Sequence, residues 1–212
     1  MASSEKYKKE RKEVAAFMRR LYRQCLTTTS GGNISIRISE DIILITPSAT
    51  DKGRMKWKEV GIMTILGENL TFKLKPSMEA EMHLSIYKKN DEVKAIVHAH
   101  PVFASSFTAM KCKIETDLTA EAAAILGNPQ MVPYKLMGSA DLALIVSEAA
   151  IQSDVLLLEN HGVLTTGATL LQAFDKIEVL ENAAKMTLIT DWSKKKSPLN
   201  KPKISAIAKL FR

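Results

Sequence analysis

Hydrophobic and polar positions repeat along this chain with two different periods, and each period predicts a kind of element. Between Glu10 and Leu26 the apolar residues recur at helical spacing and leave a strongly basic opposite face, which predicts an N-terminal amphipathic helix. Five further segments show helical spacing: 78–89, 104–110, 119–126, 139–150 and 170–190. The last of them predicts a long closing helix.

Strand patterns lie between these helices. Residues 33–38 and 41–47 predict a hairpin that Pro47 ends, and 61–74 predicts a second hairpin that turns at 67–69. The segment 49–60 has no clear period and predicts a loop. Three later strands are predicted at 93–100, 131–134 and 154–162. We expect the last to be the final strand and to be covered on both faces, because 155–158 is a continuous apolar run.

Helices and strands mix without a regular βαβ alternation, which favours an α+β layered domain whose central sheet is mostly antiparallel and flanked by helices. A chain of 212 residues is long enough for one hydrophobic core. We expect a single domain over residues 1–190, followed by a basic C-terminal tail, 191–212, as the only flexible segment.

The formal net charge of +7 is concentrated at the two ends of the chain. Aromatic residues make up only 6% of the sequence, and no basic stripe with interleaved aromatics occurs, so the stacking platforms of single-strand binders are absent. We therefore expect no nucleic-acid partner and no membrane partner. A basic tail that binds nucleic acid or a membrane surface is the alternative, and it predicts salt-sensitive binding that disappears without the residues after Asp191.

The two cysteines, Cys25 and Cys112, lie far apart and lack metal-ligand spacing, which is typical of a protein in a reducing compartment. The N-terminal residues are charged where a signal peptide needs an apolar core. No apolar stretch approaches the roughly 20 residues that span a bilayer. These features predict a cytoplasmic protein.

His98 and His100 close an apolar strand. Because side chains in a strand alternate between faces, these two histidines project from the same side, which suits two ligands of one metal. The alternative for such a pair is that one histidine caps the strand while the other faces solvent. His161 ends another predicted strand, and two strand ends in one sheet can bring three imidazoles together. His83 lies within a helix and is interpreted as structural.

Two carboxylates are candidates for acid/base chemistry. Glu79 lies about one turn after Pro76, on the same helix face as His83, and Glu121 lies in a short helical segment. Each has a plain alternative, a first-turn carboxylate that favours the helix dipole. Three small polar loops, SGGN (30–33), TPSA (46–49) and KPS (75–77), offer backbone amides and hydroxyls of the kind that cradle a phosphate.

Together these motifs resemble the class II aldolase and adducin family, which includes L-fuculose-1-phosphate aldolases and archaeal-type sugar-phosphate aldolases. The order GGNIS, TPS, KPSMEAEMH, HAHP, ENHGV and AFDKIEVLE matches from about Leu21 to about Thr190. The resemblance implies a three-layer α/β/α fold, a homotetramer with active sites at subunit interfaces, a divalent metal that is usually zinc, and a sugar phosphate substrate. It implies these site residues: metal ligands His98, His100 and His161; Glu79 as catalytic acid/base and further metal contact; Gly32, Asn33, Ser48 and Ser77 around the phosphate.

Family members differ in chemistry, and three positions bear on which activity this chain has. Glu79 favours an aldolase, because the related epimerases carry an aspartate there and the dehydratases lack the carboxylate. Met78 replaces a second hydroxyl of the phosphate loop. Glu121 stands near the place of a tyrosine that handles the aldehyde oxygen from the neighbouring subunit, so Glu121 or Tyr134 is a candidate for a second proton-transfer group.

Cleavage of a ketose 1-phosphate requires a base and a Lewis acid that stabilises an enediolate. The predicted function is therefore metal-dependent cleavage of a ketose 1-phosphate of the L-fuculose 1-phosphate type to dihydroxyacetone phosphate and a small aldehyde. Zinc is expected, although three imidazoles also suit manganese, cobalt or iron. The alternatives are an epimerase, dehydratase or decarboxylase on the same fold, or a noncatalytic adducin-like module without stoichiometric metal.

Overall fold

The computed structural model of the protein describes residues 5–110 and 112–210. Its helices are α1 (Lys8–Arg23), α2 (Ala80–Lys89), α3 (Val102–Ala109), α4 (Ala120–Ile125), α5 (Ala140–Ala149), α6 (Leu170–Ser193) and α7 (Lys201–Leu210). Its strands are β1 (Asn33–Arg37), β2 (Ile42–Ile45), β3 (Gly61–Thr64), β4 (Ala95–Ala99), β5 (Gln130–Val132), β6 (Val155–Leu158) and β7 (Gly162–Gly167).

The strands form one sheet in the order β3-β2-β1-β4-β7-β6-β5. All neighbouring strands are antiparallel except β5 and β6, which run parallel. Helices cover both faces, so the predicted α+β architecture with a mostly antiparallel central sheet is confirmed, and so are its three layers.

Alternation along each strand divides the core between the two faces of the sheet. In β4, Ala95, Val97 and Ala99 join the apolar cluster formed with α1, α3 and α6. Ile96 points the other way, into the cluster formed with α2 and α5. Every residue of β4 is buried, because helices lie over both sides of this central strand.

The second hairpin predicted for 61–74 is wrong beyond its first strand. Only β3 forms there, and the chain after 67–69 makes turns with one isolated bridge between Met63 and Asn69. The Asn69 side chain accepts from Thr71 N and donates to Leu74 O, while Thr71 Oγ1 accepts from Ile62 N. These side-chain bonds take the place of a strand ladder. The predicted loop 49–60 contains two short 3-10 turns, Lys52–Arg54 and Trp57–Glu59.

The strand predicted at 154–162 is not the final strand of the sheet. β6 ends at Leu158, and a separate strand, β7, follows after a three-residue turn. The hydropathy pattern does not indicate β7, because the strand contains the polar residues Thr165 and Thr166. Both threonines are nevertheless fully buried. Thr165 Oγ1 donates to Ala173 O at 2.6 Å and Thr166 Oγ1 donates to Asp154 Oδ1 at 2.5 Å, so their polar atoms are satisfied inside the protein.

The C-terminal segment, predicted as a flexible tail, contains a further helix. Helix α6 continues to Ser193, and α7 packs against α4. Leu199 N donates to Asp117 O at 2.8 Å, and Lys196 Nζ lies 2.6 Å from Glu115 Oε1. Within the described residues, none of the helices has the length and hydropathy needed to cross a membrane.

Candidate active site

Three histidines converge where the β6–β7 turn meets the end of β4. His98 lies in β4 and His100 follows it directly, while His161 lies in the turn and not at the end of a strand as predicted. The antiparallel register pairs Ala99 with Val163, which sets the residues just before β7 beside those just after β4. The pairing therefore brings His161, distant in sequence, to the two histidines of the HAH motif.

The imidazole geometry suits a metal ion. The ligand atoms of His98, His100 and His161 all lie within 4.8 Å of one another, and the Nε2 atoms of His98 and His100 are 3.1 Å apart. His98 Nδ1 donates to the carbonyl oxygen of Val163 at 2.9 Å, so the ring in its neutral form would present the lone pair of Nε2 to a metal. Three imidazole nitrogens this close together can bind one cation, so the donor set fits a divalent metal.

Glu79 lies against this cluster from the start of α2. Its Oε2 is 3.2 Å from His98 Nε2 and its Oε1 is 3.1 Å from His161 Nε2. Asn33 Nδ2 also donates to Oε2, at 2.8 Å. The backbone N–H of Glu79 donates to Ser77 Oγ at 3.2 Å, which holds the chain where the helix begins. The carboxylate is thus buried, oriented and directly beside two of the three imidazoles.

The ionisable side chains of the cluster have pKa values shifted in different directions. Burial alone would raise the pKa of Glu79, but His98 and His161 hold it well below its usual range. Burial alone would lower the pKa of His98, but the neighbouring Glu79 raises it. Burial, followed by repulsion from His98 and His161, lowers the pKa of His100 to about 3. Glu79 is therefore ionised and His100 neutral at physiological pH, the protonation states required of a base and a metal ligand.

Two glycines are required by close approach. A Cβ on Gly162 would lie 2.4 Å from His100 Cδ2 and 2.6 Å from Ala99 O, so the glycine after His161 makes room for the His100 ring. Gly32 has φ +65, and a Cβ there would lie 2.7 Å from His98 O. The glycines of the NHG and SGGN motifs thus bring their loops against the histidines.

Two of the predicted phosphate loops meet directly. Pro47 and Pro76 form a bridge, Ser48 N donates to Lys75 O at 3.1 Å, and Met78 N donates to Ser48 Oγ at 3.1 Å. The SGGN loop adjoins through Asn33, whose amide holds Glu79. Gly32, Asn33, Ser48 and Ser77 therefore surround one region beside the metal-binding cluster, and their role in phosphate binding stays a prediction.

Lys52 is a buried residue beside the candidate site that the sequence pattern does not indicate. The residue lies in the segment predicted as a loop, where lysines are normally exposed, yet only 1% of its surface is accessible. Its Nζ donates to Pro47 O at 2.5 Å, and its backbone N–H donates to Thr29 O at 2.9 Å. Burial lowers the pKa of Lys52 to about 8. The lysine therefore places a cation behind two of the phosphate loops, and no sequence signal indicates it.

Glu121 and Tyr134 lie apart from the histidine cluster. Glu121 is exposed on the first turn of α4, and Tyr134 is 55% exposed. The backbone N–H of Tyr134 donates to Glu159 Oε2 at 2.8 Å, which ties it near the β6–β7 turn. Among the described residues neither side chain has a hydrogen bond to a clustered histidine. Their predicted roles in proton transfer would require a neighbouring subunit.

Three imidazoles and a buried carboxylate lie together at the end of a covered sheet, flanked by small polar loops, and this set of side chains is suited to bind a metal ion. The chain belongs to the family of the class II aldolase and adducin N-terminal domain, whose model matches residues 12–188. The aldolases of this family are metal-dependent enzymes that act on sugar phosphates.

Individual relatives carry two different activities. The chain is 37% identical over 175 residues to 3-oxo-tetronate 4-phosphate decarboxylase of Haemophilus influenzae, covering 79% of this chain and 81% of the relative. It is 35% identical over 178 residues to L-fuculose phosphate aldolase of Methanococcus vannielii, covering 84% of this chain and 95% of the relative. A solved structure of an L-fuculose 1-phosphate aldolase matches with a TM-score of 0.87 at 27% identity, covering 95% of each chain.

Proposed function

We propose that this protein is a metal-dependent lyase that reversibly cleaves a ketose 1-phosphate, of the L-fuculose 1-phosphate type, to dihydroxyacetone phosphate and a small aldehyde. The observation that carries the proposal is the position of Glu79, whose two carboxylate oxygens lie 3.1 and 3.2 Å from His161 and His98. This arrangement sets a base beside the atoms that would bind a metal.

We assign separate roles in metal binding, proton transfer and orientation to residues of this chain. His98, His100 and His161 would hold the metal, with zinc expected, and a metal held there supplies a Lewis acid for the substrate's carbonyl and adjacent hydroxyl oxygens. Glu79 would move the proton at the carbon of dihydroxyacetone phosphate that forms or breaks the bond to the aldehyde. Asn33 orients Glu79 through its 2.8 Å hydrogen bond.

Substrate anchoring is assigned to the phosphate loops. Gly32 offers a backbone amide and Ser48 and Ser77 offer hydroxyls, while Asn33 is already engaged by Glu79. Met78 offers only its backbone N–H, which Ser48 accepts in this structure. We assign the phosphate to this region because it adjoins the metal-binding cluster and contains small side chains.

A decarboxylase is the second candidate, and a relative 37% identical with that activity favours it. Loss of carbon dioxide from a 3-oxo-tetronate 4-phosphate breaks the bond to the carboxylate carbon and leaves the enediolate of dihydroxyacetone phosphate on the remaining fragment. That is the same enediolate that aldol cleavage produces. Decarboxylation needs no proton donor for an aldehyde oxygen, and in the single chain Glu121 and Tyr134 lie apart from the cluster.

One assay distinguishes the two activities. Release of dihydroxyacetone phosphate is measured from a panel of ketose 1-phosphates and from 3-oxo-tetronate 4-phosphate, before and after chelation and after zinc is restored. We expect release from a ketose 1-phosphate with one aldehyde per turnover, lost on chelation and recovered with zinc. Release from the oxo acid alone, with carbon dioxide, establishes the decarboxylase. Activity that ignores chelation contradicts the metal mechanism, and a protein without stoichiometric metal or activity supports the adducin-like alternative.

We further propose that the protein is a homotetramer whose active sites include a neighbouring subunit. Four large hydrophobic or aromatic side chains are exposed in β5 and the segment just after it: Met131, Tyr134, Leu136 and Met137. An exposed apolar run of this kind marks a protein interface, and it contains a candidate proton donor, Tyr134. Light scattering of the purified protein checks the assembly: a monomer at micromolar concentration contradicts it.

A further inference from the structure

Lys52 is a buried cation without a counter-ion. It forms no ion pair with a carboxylate among the described residues, and Glu59 is the acidic residue whose charge acts on it. Burial lowers the pKa of Lys52 to about 8, so the ammonium group is protonated at neutral pH. Lysines are almost never fully buried unless they are paired, because an unpaired charge is costly to remove from water. The position therefore suits an anion that binds from outside the chain.

Two hydrogen bonds place this cation behind the phosphate loops. Lys52 Nζ donates to Pro47 O at 2.5 Å, inside the TPSA loop, and the backbone N–H of Lys52 donates to Thr29 O at 2.9 Å, just before the SGGN loop. Because the carbonyl carbon of Pro47 is bonded to the nitrogen of Ser48, the ammonium nitrogen lies within about 5 Å of the Ser48 backbone. One residue therefore ties the two loops together and brings positive charge to both.

The same loops also have hydrogen-bond donors without acceptors. Thr27 Oγ1 and Thr50 Oγ1 are buried and have no hydrogen-bond partner among the described residues. Thr27 lies under the SGGN loop, because its Oγ1 is 2.9 Å from the point that a Cβ on Gly32 would occupy. Within the described part of the chain, Pro47 O is the acceptor for the three N–H donors of Lys52. Unpaired hydroxyls beside an unpaired cation suit an acceptor that carries negative charge.

A phosphate group is such an acceptor, and the loops by themselves do not balance its charge. The SGGN and TPSA loops contain no charged side chain, so their backbone amides and hydroxyls provide only partial charges. In the third loop, KPS, the side chain of Lys75 is exposed, and solvent and salt screen its charge. Lys52 is buried behind the loops, so its charge is screened much less than that of an exposed lysine.

We propose that Lys52 is the counter-ion of the substrate phosphate and determines how tightly this protein binds it. Lys52 acts through its charge and through the Pro47 carbonyl that it holds, so it is a positioning residue and not a catalytic one. The inference rests on the proposed function, because it takes the substrate phosphate to bind at Gly32, Ser48 and Ser77. It does not depend on which bond of the substrate is cleaved.

The first test is a calorimetric titration of the full chain, loaded with zinc, with inorganic phosphate at pH 7. We expect Lys52→Met to weaken phosphate binding about 10- to 100-fold, the effect of removing one poorly screened charge about 10 Å or less from the anion. Ser48→Ala should also weaken it, which locates the phosphate in the loops. Arg54→Met removes a charge from the same short turn, where the Arg54 side chain is 90% exposed, and should keep the wild-type affinity. Unchanged affinity in Lys52→Met, an equal loss in Arg54→Met, or a loss confined to Lys75→Met overturns the proposal.

The second test uses the wild-type chain, so it does not depend on how well a variant folds. Carbon-13 spectra of labelled lysine side chains follow the ammonium group of Lys52 through a pH titration, with Lys52→Met identifying its signal. Phosphate should raise the pKa of Lys52 by an amount that matches the loss of affinity in Lys52→Met, because the coupling between the two sites is reciprocal. A pKa that phosphate leaves unchanged contradicts the counter-ion role.

The other charged groups around Lys52 are present with and without phosphate. They are Asp51, Arg54 and Glu59 in its own loop and Arg19, which donates from α1 to the backbone of that loop. The difference between the two titrations therefore reports the anion.

Kinetics distinguish this inference from the proposed function. With a sugar phosphate that the wild type cleaves, Lys52→Met should raise KM and leave kcat within about threefold, because uniform binding is lost. If the wild type releases dihydroxyacetone phosphate from no substrate, the proposed function has failed, and the two phosphate titrations still decide the role of Lys52.

Discussion

Two glutamates of this protein are buried to nearly the same extent, but they lie on opposite faces of the sheet and have different partners. Glu181, in α6, accepts from the backbone N–H groups of Phe103 and Ala104, at 3.3 and 2.8 Å, where α3 begins. Glu79 is held by one amide side chain and two imidazoles. The backbone N–H groups that bind Glu181 serve only as hydrogen-bond donors, whereas the imidazole nitrogens beside Glu79 can also bind a metal.

The difference separates a carboxylate used for structure from one available for chemistry. Glu181 stabilises the start of a helix beside the larger apolar cluster, where the N–H groups of the first turn lack partners within the helix. Glu79 also lies at a helix start, but it faces the histidines. Burial alone therefore does not identify a functional carboxylate. The better indication is that its neighbouring side chains can also bind a metal.

The largest effect is expected for Glu79→Gln. The amide is almost the same size but cannot act as a base, so kcat for dihydroxyacetone phosphate release should fall by a factor of roughly 100 to 10,000. Metal content, measured by elemental analysis, should survive. Glu81→Gln is the control, because Glu81 is exposed in the same helix and should leave turnover near the wild-type value. Full activity of Glu79→Gln would exclude the assigned role.

Glu181→Gln should have the opposite profile. Loss of the charged acceptor for two backbone N–H groups should lower the free energy of unfolding by about 1 to 3 kcal/mol. Zinc content and kcat should stay close to those of the wild type, because no clustered histidine contacts Glu181 in the described structure. Urea unfolding of the metal-free protein measures the first quantity. A large loss of turnover with unchanged stability would remove the distinction between the two glutamates.

Gly162→Ala tests how closely the histidines are held. The added methyl group would meet the His100 ring at 2.4 Å, so the ring must move and the affinity for zinc should fall about 10- to 100-fold. A competition titration with a chelating dye measures this affinity. Gly127→Ala provides the contrast, since a Cβ there meets nothing within 4 Å and only its φ of +58 is strained. Zinc affinity should be unchanged in that variant.

Lys52→Met extends the comparison to a buried cation. Burial lowers the pKa of Lys52 to about 8 in the folded protein, while the unfolded chain keeps the usual value of 10.5. Between these values the unfolded state binds more protons, so this lysine makes the free energy of unfolding rise with pH. The wild type should gain about 2 to 3 kcal/mol over Lys52→Met between pH 8 and 10.5. Parallel stability curves, measured by urea unfolding at each pH, would contradict the burial of the charge.

Much of the fold follows from the local pattern of apolar residues. Where the prediction is wrong, the cause is also local. Six helices and the strands β1, β2 and β4 appear near their predicted positions, because amphipathic periods are properties of short segments. The absent strand after β3 and the unpredicted β7 both depend on polar side chains. Asn69 and Thr71 divert the chain into turns, whereas Thr165 and Thr166 are satisfied inside the core.

The sequence by itself determined which residues could share a face. The two-residue period of a strand sets His98 and His100 on one side, and the four-residue spacing in α2 sets Glu79 over His83. These relations hold for any fold that keeps the strand and the helix, because they follow from backbone geometry alone.

Only the tertiary structure decided which faces meet. The register between β4 and β7 brings His161 to the HAH motif, and the packing of α2 on β1 joins Glu79 to Asn33 and His83 to Ser35. The burial of Lys52 likewise depends on how its loop folds against the chain. Contacts between segments more than 40 residues apart depend on packing across the whole core, and no local periodicity encodes them.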